Sequence, residues 1–454
     1  MKAFDAIFIG AGQAGPFLAA RMASLGKKVA LIERKYLGGT CVNAGCMPTK
    51  TLVASARVAH VVTRASSYGV QIVGNVGVDM AMVRSRAEKV TLDARNGLST
   101  WFAGLDTMSV LYGHARFESA NTISVGGETL TAPQIFINVG ARPSIPDYPG
   151  LADIPYLTST SIIELTALPR HLVVIGGSYI GLEFAQMYRR FGSDVTIIER
   201  GTYLASREDE DVSDAIADIV CGEGITVQTQ ATSISFRNAA GDIEVTTDSG
   251  TILASHVLIA TGRRPNTDDL GLEAAGVAVD DKGFITVDDS LSTTVPGIWA
   301  LGDCNGHGAF THTSYNDFEI VAANLLDGAN RKLSDRIPAY ALYIDPPLGR
   351  VGMTERQARA SGRPILVSKR PMTRVGRAVE KGETQGFMKL IADAETQQIL
   401  GAAILGIEGD EAIHGIIDAM NGQTPYPTLQ WSVPIHPTVS ELVPTLIGDL
   451  HPPV

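Results

Sequence analysis

Asp5-Ala-Ile-Phe-Ile9-Gly10-Ala-Gly12-Gln-Ala-Gly15, a helical stretch to about Leu25, and then Val29-Ala-Leu-Ile32-Glu33 together decide the fold of this 454-residue chain. Two short apolar runs read as buried strands, and the segment between them carries the helical pattern. The three glycines have separate duties. Gly10 makes the tight turn, Gly12 lets the backbone approach a pyrophosphate, and Gly15 lets helix lie close on strand. The helix that follows points free N–H groups and its positive dipole end at such a phosphate. Glu33, 18 residues after Gly15, closes the second strand where a carboxylate can accept ribose hydroxyls. A glycine triplet alone is weak evidence; strand, turn, helix, strand and acid in that order predict a dinucleotide site.

The same grammar returns downstream. Leu172-Val-Val-Ile175 leads into Gly176-Gly-Ser178-Tyr-Ile-Gly181, a helix, then Asp194-Val-Thr-Ile-Ile198 and Glu199. A shift of 166 residues superposes Gly10 on Gly176, Glu33 on Glu199, Ala19 on Ala185, Gly26 on Gly192, Val29 on Val195 and Arg34 on Arg200. This internal duplication predicts two Rossmann-like units and two dinucleotide sites. Ser178 stands where the second glycine would be and narrows the phosphate approach without closing it. Two further punctuations echo each other, Asn138-Val-Gly140-Ala-Arg-Pro143 and Ala260-Thr-Gly262-Arg-Arg-Pro265. Each follows an apolar run and redirects the chain, so unit boundaries are expected near 150 and near 265–270. Ile298-Trp-Ala-Leu-Gly302-Asp303 is a buried strand closing on an acid suited to a ribityl hydroxyl.

Bulk properties set outer limits. A chain of this length exceeds one core, and about three domains is the natural division. The formal net charge of −11 disfavours nucleic acid or an anionic membrane as main partner. No apolar run reaches the ~18 residues needed to cross a bilayer, and the N-terminus reads as a strand rather than a signal peptide. Four cysteines do not make a secreted disulfide framework. A cytoplasmic enzyme is the expectation.

Gly38-Gly-Thr-Cys41-Val-Asn-Ala-Gly-Cys46-Met-Pro48-Thr-Lys50 carries the chemistry. In a regular helix, residues five apart have Cα atoms roughly 8–9 Å apart, and a disulfide needs less than about 7 Å. A bridge here requires a distorted first turn, which Asn43, Gly45 and Pro48 permit. A helix from about Pro48 would aim its positive end at the sulfurs and favour a thiolate. A structural zinc site fails on ligand count, and no metal is expected. Cys221 and Cys304 are isolated and read as buried small residues.

The run from Gly39 to Lys50 resembles the active-site signature of the class I pyridine nucleotide-disulfide oxidoreductases, which include glutathione reductase, dihydrolipoamide dehydrogenase and mercuric reductase. The likeness extends over both glycine fingerprints, both Gly-Arg-Pro turns, Gly302-Asp303 and a C-terminal His-Pro-Thr segment. It implies FAD, NADH or NADPH, and a homodimer with a composite active site. Carried over by position, Cys46 is the flavin-proximal sulfur and Cys41 the interchange thiol. Lys50 sits by the flavin paired with Glu183, Tyr179 gates the nicotinamide pocket, and Ala115 supports the adenine. Gly39, Thr40, Thr311 and His312 complete the flavin side, with Arg200 and Gly262 added on the nucleotide side. The fold implied is α/β: two Rossmann-like dinucleotide-binding domains plus a C-terminal α+β dimerisation domain. FAD-binding residues 1–150 and 271–335 enclose NAD(P)-binding residues 151–270, and the interface domain spans 336–454.

Ile435-His436-Pro437-Thr-Val-Ser-Glu441 offers an imidazole beside a carboxylate, and a His held by Glu is a better base. The resemblance implies a cis His-Pro bond and service to the partner subunit's interchange cysteine. Mercuric reductases of the best-known kind carry an extra C-terminal cysteine pair; no cysteine follows Cys304 here, although 345–352 and 375–380 resemble proteins grouped with them. The expected acceptor is a disulfide or other thiol-reactive small molecule. Direct reduction of a metal ion, quinone or oxygen, and a non-catalytic flavin redox sensor, stay open as alternatives.

Overall fold

The computed structural model describes residues 1–453. The duplicated grammar becomes two parallel sheets. In the first, strands Met108–Tyr112, Val29–Glu33, Ala6–Ile9, Gln134–Ile137 and Ile298–Ala300 lie side by side in that order. Counted along the chain this is 3-2-1-4-5, the order of a doubly wound nucleotide-binding sheet. Every residue of Ala6–Ile9 and Val29–Glu33 is buried, as a parallel sheet covered on both faces demands. Helix Gly15–Ser24 covers one face with Leu18, Ala19 and Met22, and Phe8, Phe136 and Trp299 stack across neighbouring strands.

The second sheet sets Leu157–Thr158, His256–Ile259, His171–Ile175, Asp194–Ile198 and Thr226–Gln228 in parallel. The duplication holds at the level of register. Ala6 faces Val29 and Ile9 faces Ile32 in the first sheet; Leu172 faces Val195 and Ile175 faces Ile198 in the second, each displaced by 166. The two Gly-Arg-Pro turns meet: Ala141–Pro143 pairs antiparallel with Arg263–Pro265, so the chain enters and leaves the second unit through one two-stranded neck.

The third unit is an antiparallel sheet in the order Ala339–Leu342, Leu348–Gly352, Ile399–Leu405, Phe387–Asp393, Ile365–Pro371. Helices including His414–Asn421 and Val443–Gly448 close its core with Ile416, Leu446 and Ile447. Another core cluster runs from Leu52 and Ala56 through Val174 and Leu182 to Leu348 and Leu405, so all three units share apolar surface. The fold is thus α/β with two Rossmann-like units and a C-terminal α+β domain. No helix among the described residues is long and apolar enough to cross a membrane. Cys304 is buried, but Cys221 is exposed, contrary to the sequence reading. It lies on helix Glu210–Gly222, whose buried stripe is Val212, Ile216, Ile219 and Val220.

Candidate active site

Both glycine turns are built alike, atom by atom. Gly10 N–H donates to the Ile32 carbonyl at 2.8 Å and Gly176 N–H to Ile198 at 2.8 Å. Glu33 accepts from Ala11 N at 3.0 Å and Lys35 N at 2.8 Å; Glu199 accepts from Gly177 N at 2.7 Å and Gly201 N at 2.6 Å. Each acid is therefore pinned at the lip of its turn, with lone pairs left for a sugar. The turns differ at one point. The Asn138 side chain accepts from Gly15 N at 3.0 Å and donates to the Leu301 carbonyl at 2.8 Å, clamping the first turn to the strand end before Asp303. A Cβ on Gly12 would stand 2.9 Å from the Asn138 Oδ1. The matching strand end in the second unit is Ala260, which has no such side chain, and this is why Ser178 is tolerated there.

The cysteine segment is two helices rather than one with a distorted first turn. Gly39–Ala44 ends at Gly45 (φ −127°, ψ −125°), and Cys46–Thr63 starts afresh, two residues before the expected Pro48. A Cβ on Gly45 would lie 2.7 Å from the Thr40 carbonyl oxygen, so the break needs glycine. Asn43 holds it by donating to the Leu37 and Gly39 carbonyls, while Arg95 donates to its Oδ1 at 2.6 Å. Cys41 and Cys46 are free thiols, and they are unequal. The Cys41 thiol donates to Cys46, and against the opposing effect of burial this bond, the Thr311 hydroxyl and the Lys50 charge bring Cys46 from 9.0 down to about 6. The same bond, with burial, pushes Cys41 up. In the reduced pair the charge rests on Cys46 and the proton on Cys41.

Lys50 lies one helical turn beyond Cys46. Its Nζ is 2.6 Å from Glu183 Oε2 and 4.5 Å from the Tyr343 ring centre; Glu183 Oε1 accepts from Tyr343 N at 3.0 Å. Thr311 opens helix Thr311–Leu326 with its Oγ1 3.2 Å from Cys46 Sγ. His312 stacks on Phe310 and bonds the Ala339 carbonyl through Nε2 at 2.6 Å, burial holding its pKa down. Asp303 faces Arg263 at 3.5 Å, and burial raises its pKa despite that guanidinium.

These groups share one cavity of about 910 Å³, lined by Gly10, Gly12, Glu33, Gly39, Thr40, both cysteines, Lys50, Ala115, Tyr179, Glu183, Asp303, Thr311 and His312. The cavity fits a flavin dinucleotide. Bare glycine backbone forms one end, with a Cβ on Gly39 only 2.7 Å from the Gly12 Cα, and the sulfur–lysine pair forms the other. Gly15 stands behind the wall, through Asn138. Gly176, Ser178, Gly181, Glu199 and the exposed Arg200 belong to the second turn, outside this cavity. Gly262 also lies off it, its carbonyl taken by Ser144 N–H at 2.9 Å. His436 Nδ1 meets Glu441 Oε2 at 2.9 Å next to a cis His436–Pro437 bond, with the imidazole 78% exposed and outside the cavity of its own chain. Among the described residues, no three His, Cys, Asp or Glu side chains gather as a metal site.

Sequence reasoning missed Asn138 and Arg263 in the cavity wall, and the partners of Tyr179. Asn138 had a signal: a polar residue ends the strand in one copy of a duplicated turn and alanine ends it in the other.

Residues 4–317 match the family described as pyridine nucleotide-disulphide oxidoreductase, and residues 338–447 match its dimerisation domain. The probable pyridine nucleotide-disulfide oxidoreductase RclA of Escherichia coli (strain K12) is 37% identical over 450 residues, 97% of this chain and 98% of that protein. A mercuric reductase of Bacillus cereus is 35% identical over 416 residues, 90% of this chain and 66% of that protein. A dihydrolipoyl dehydrogenase of Chlamydia muridarum is 31% identical over 446 residues, 97% and 95% of the two chains. Among solved structures, the Cu(II) complex of HOCl-induced flavoprotein disulfide reductase RclA from Escherichia coli superposes with a TM-score of 0.91 at 36% identity, covering 99% of each chain.

Proposed function

The chain belongs to the pyridine nucleotide-disulphide oxidoreductase family, and from that premise we propose that it carries electrons from NADH to the Cys41–Cys46 pair and on to a disulfide acceptor, as a cytoplasmic homodimer. Membership makes it an FAD-dependent enzyme using NAD(P)H, with a domain for homodimerisation. The bound flavin supplies a two-electron relay between nicotinamide and disulfide. Gly10, Gly12 and Glu33 would hold its adenosine end, Asp303 its ribityl chain, and Lys50 with Thr311 its reactive ring.

The observation that carries the reading is the placement of Cys46 beside the Thr311 hydroxyl, in one cavity with Cys41 and Lys50. Cys41 starts protonated beside the Cys46 thiolate. To act it must give its proton to a base, which in our reading is His436 of the partner subunit, oriented by the partner's Glu441. The Cys41 thiolate then attacks one sulfur of the substrate disulfide, and the leaving thiolate takes the proton back from the imidazolium. The Cys46 thiolate attacks Cys41 Sγ in the mixed disulfide, releasing the second thiolate, which takes a solvent proton, and re-forming the Cys41–Cys46 bond. One disulfide is reduced to two thiols, and one dithiol is oxidised.

Glu199 supports NADH: its carboxylate, pinned at the strand end, suits a free 2′-hydroxyl and repels a 2′-phosphate. Arg200 and Arg207 pull the other way from exposed positions. Reduction of a thiophilic metal ion is a second reading, favoured by the Cu(II) complex of RclA and by the mercuric reductases among the relatives. An anaerobic acceptor screen with NADH separates them. The proposal expects disulfide turnover that Cys41→Ser abolishes, with hydride entry preserved. Turnover that survives loss of both cysteines would mean electrons leave directly from the flavin.

A further inference from the structure

Two helices and one loop meet at the sulfur end of the cavity in two tiers. The loop is 343–347, which joins strands Ala339–Leu342 and Leu348–Gly352 of the C-terminal domain. In the first tier, Lys50 of helix Cys46–Thr63 and Glu183 of helix Tyr179–Phe191 share their 2.6 Å contact, and Tyr343 touches both. Its amide donates to Glu183 Oε1 at 3.0 Å, and its ring centre lies 4.5 Å from Lys50 Nζ. The second tier repeats the plan seven residues on, two turns along each helix. There Arg57 and Arg190 each donate to one oxygen of Asp345 at 2.5 Å. Gln186, on the same helix face as Glu183 and Arg190, bonds the Asp345 backbone N–H and carbonyl at 2.7 and 2.8 Å. Between the tiers Ile344 is 2% exposed and belongs to the apolar cluster that contains Leu52 and Leu182.

The second tier is an anchor. Against burial, Arg190 and Arg57 hold the Asp345 carboxyl below its ordinary range, so it stays charged between them. Arg57 is secured in turn by the two Glu383 oxygens at 3.2 and 3.1 Å, and Arg190 by Glu223 at 2.7 Å. With Ile344 and Asp345 fixed, Tyr343 presents one ring face and one N–H at set positions. Lys50 needs such a guide. Its flexible stem is 33% exposed where it lines the cavity, and Glu183 alone would leave the ammonium free to swing about a single contact. We propose that Tyr343 is a positioning residue whose ring and amide, mounted on the C-terminal domain, aim the Lys50 ammonium at the reactive-ring end of the flavin cavity. This rests on the reading above that Lys50 serves that end.

An ammonium aimed there offsets the negative charge that hydride entry brings, and it does so only from the right position. A cation over a tyrosine face at a partly exposed site gains ~1 kcal/mol. At ~1.4 kcal/mol per tenfold, its loss slows the limiting rate of flavin reduction about fivefold. Tyr343→Leu keeps the amide and removes the ring face. Tyr343→Phe keeps both and removes only the hydroxyl, which neither contact uses. The apparent Kd for NADH stays where it is in both, because Tyr343 acts on the ammonium and not on the nucleotide.

The test is anaerobic stopped flow of the holoenzyme with NADH, read as limiting rate against apparent Kd. A second readout needs no turnover: the ratio of oxidised to reduced FAD in equilibrium with a reference dye. It is measured with Cys41→Ser and Cys46→Ser in every form, so that only the flavin takes electrons. Tyr343→Leu is expected to lower the limiting rate and shift the FAD ratio towards oxidised, each about fivefold, with the Kd for NADH within about twofold. Tyr343→Phe should match wild type. Tyr343→Met, equally ringless, repeats the measurement if the leucine variant does not fold. A ringless variant within about twofold of wild type on either readout would overturn the proposal, as would a Kd that moves as far as the rate. So would Tyr343→Phe falling as far as Tyr343→Leu. Lys50→Met separates this failure from that of the reading beneath it. If Lys50→Met changes both readouts and the ringless variants do not, Tyr343 does not position the lysine. If Lys50→Met changes neither, Lys50 does not serve the flavin, and the proposal falls with that reading.

Discussion

Replacing Thr311 by valine removes the hydroxyl 3.2 Å from Cys46 Sγ and keeps the shape of the side chain. In the reduced pair Cys46 sits at about 6, held there first by the Cys41 thiol, then, against burial, by Thr311 and Lys50. A hydrogen bond to a charged group contributes about 1.5 kcal/mol, close to one pH unit at ~1.4 kcal/mol each. The midpoint should therefore move from about 6 to about 7 in Thr311→Val. The depressed pKa fixes the sign: the thiolate is present above the midpoint and lost as pH falls through it. In the two-electron-reduced holoenzyme that thiolate should donate to oxidised flavin and give long-wavelength absorbance. The assay follows this band anaerobically from about pH 5 to about pH 9, bracketing the depressed and ordinary thiol values. An intact band with an unmoved midpoint would refute the role given to Thr311. A band that survives Cys46→Ser would place the thiolate on the wrong sulfur altogether.

Other expectations follow from the same geometry. His436→Ala should leave flavin reduction by NADH nearly intact and slow the thiol half-reaction by about 10²–10⁴-fold, seen by separate rapid-mixing of the two halves. A hybrid dimer of one His436→Ala chain and one Cys41→Ser chain should keep about one site of two, because both defects fall in a single composite site; complete inactivity would put both residues to work within one chain. NADH should exceed NADPH in kcat/KM, and a clear reversal would mean that Arg200 and Arg207 outweigh Glu199. Asn138→Ala leaves the Gly15 N–H and the Leu301 carbonyl without their buried partner, a loss of about 2 kcal/mol. It should lower Tm and weaken FAD retention together, whereas an unchanged melting curve would show that the clamp adds nothing.

Short-range grammar made most of the fold legible. Strand–glycine–helix–strand is decided within about thirty residues, so both Rossmann-like units and their 166-residue displacement could be read before any contact was known. The antiparallel strands Phe387–Asp393 and Ile399–Leu405 are mostly apolar, the first interrupted by Lys389, and both are buried throughout. What escaped was set by distant partners. Asn138 became a clamp only because Gly15 and Leu301 converge on it from 123 and 163 residues away. Glu208 reads as one more acid in Arg207-Glu-Asp-Glu-Asp211 until the sheet bearing Arg350 encloses it. The helix start was misjudged because proline favours a first turn, and the sequence does not show that Gly45 alone can clear the Thr40 carbonyl. Gly140 borders the cavity, whereas Gly262, its counterpart in the other Gly-Arg-Pro turn, lies off it.

The neck between Ala141–Pro143 and Arg263–Pro265 has an architectural consequence. With Ser144 N–H bonded to the Gly262 carbonyl, everything from 144 to 262 is a closed excursion whose two ends stand one ladder rung apart. A graft at such a stem leaves the host sheet's strand order untouched, because the host chain resumes where it left off. That is how a copy of the first unit could settle inside the original without redrawing it. A stem of two three-residue strands cannot aim so large a guest. Its bearing comes instead from the far side, where Gln186 and Arg190 bond Asp345 of the C-terminal domain and apolar surface runs on to the cysteine helix. The stem fixes where the second unit joins the first, and the opposite face determines where that unit points.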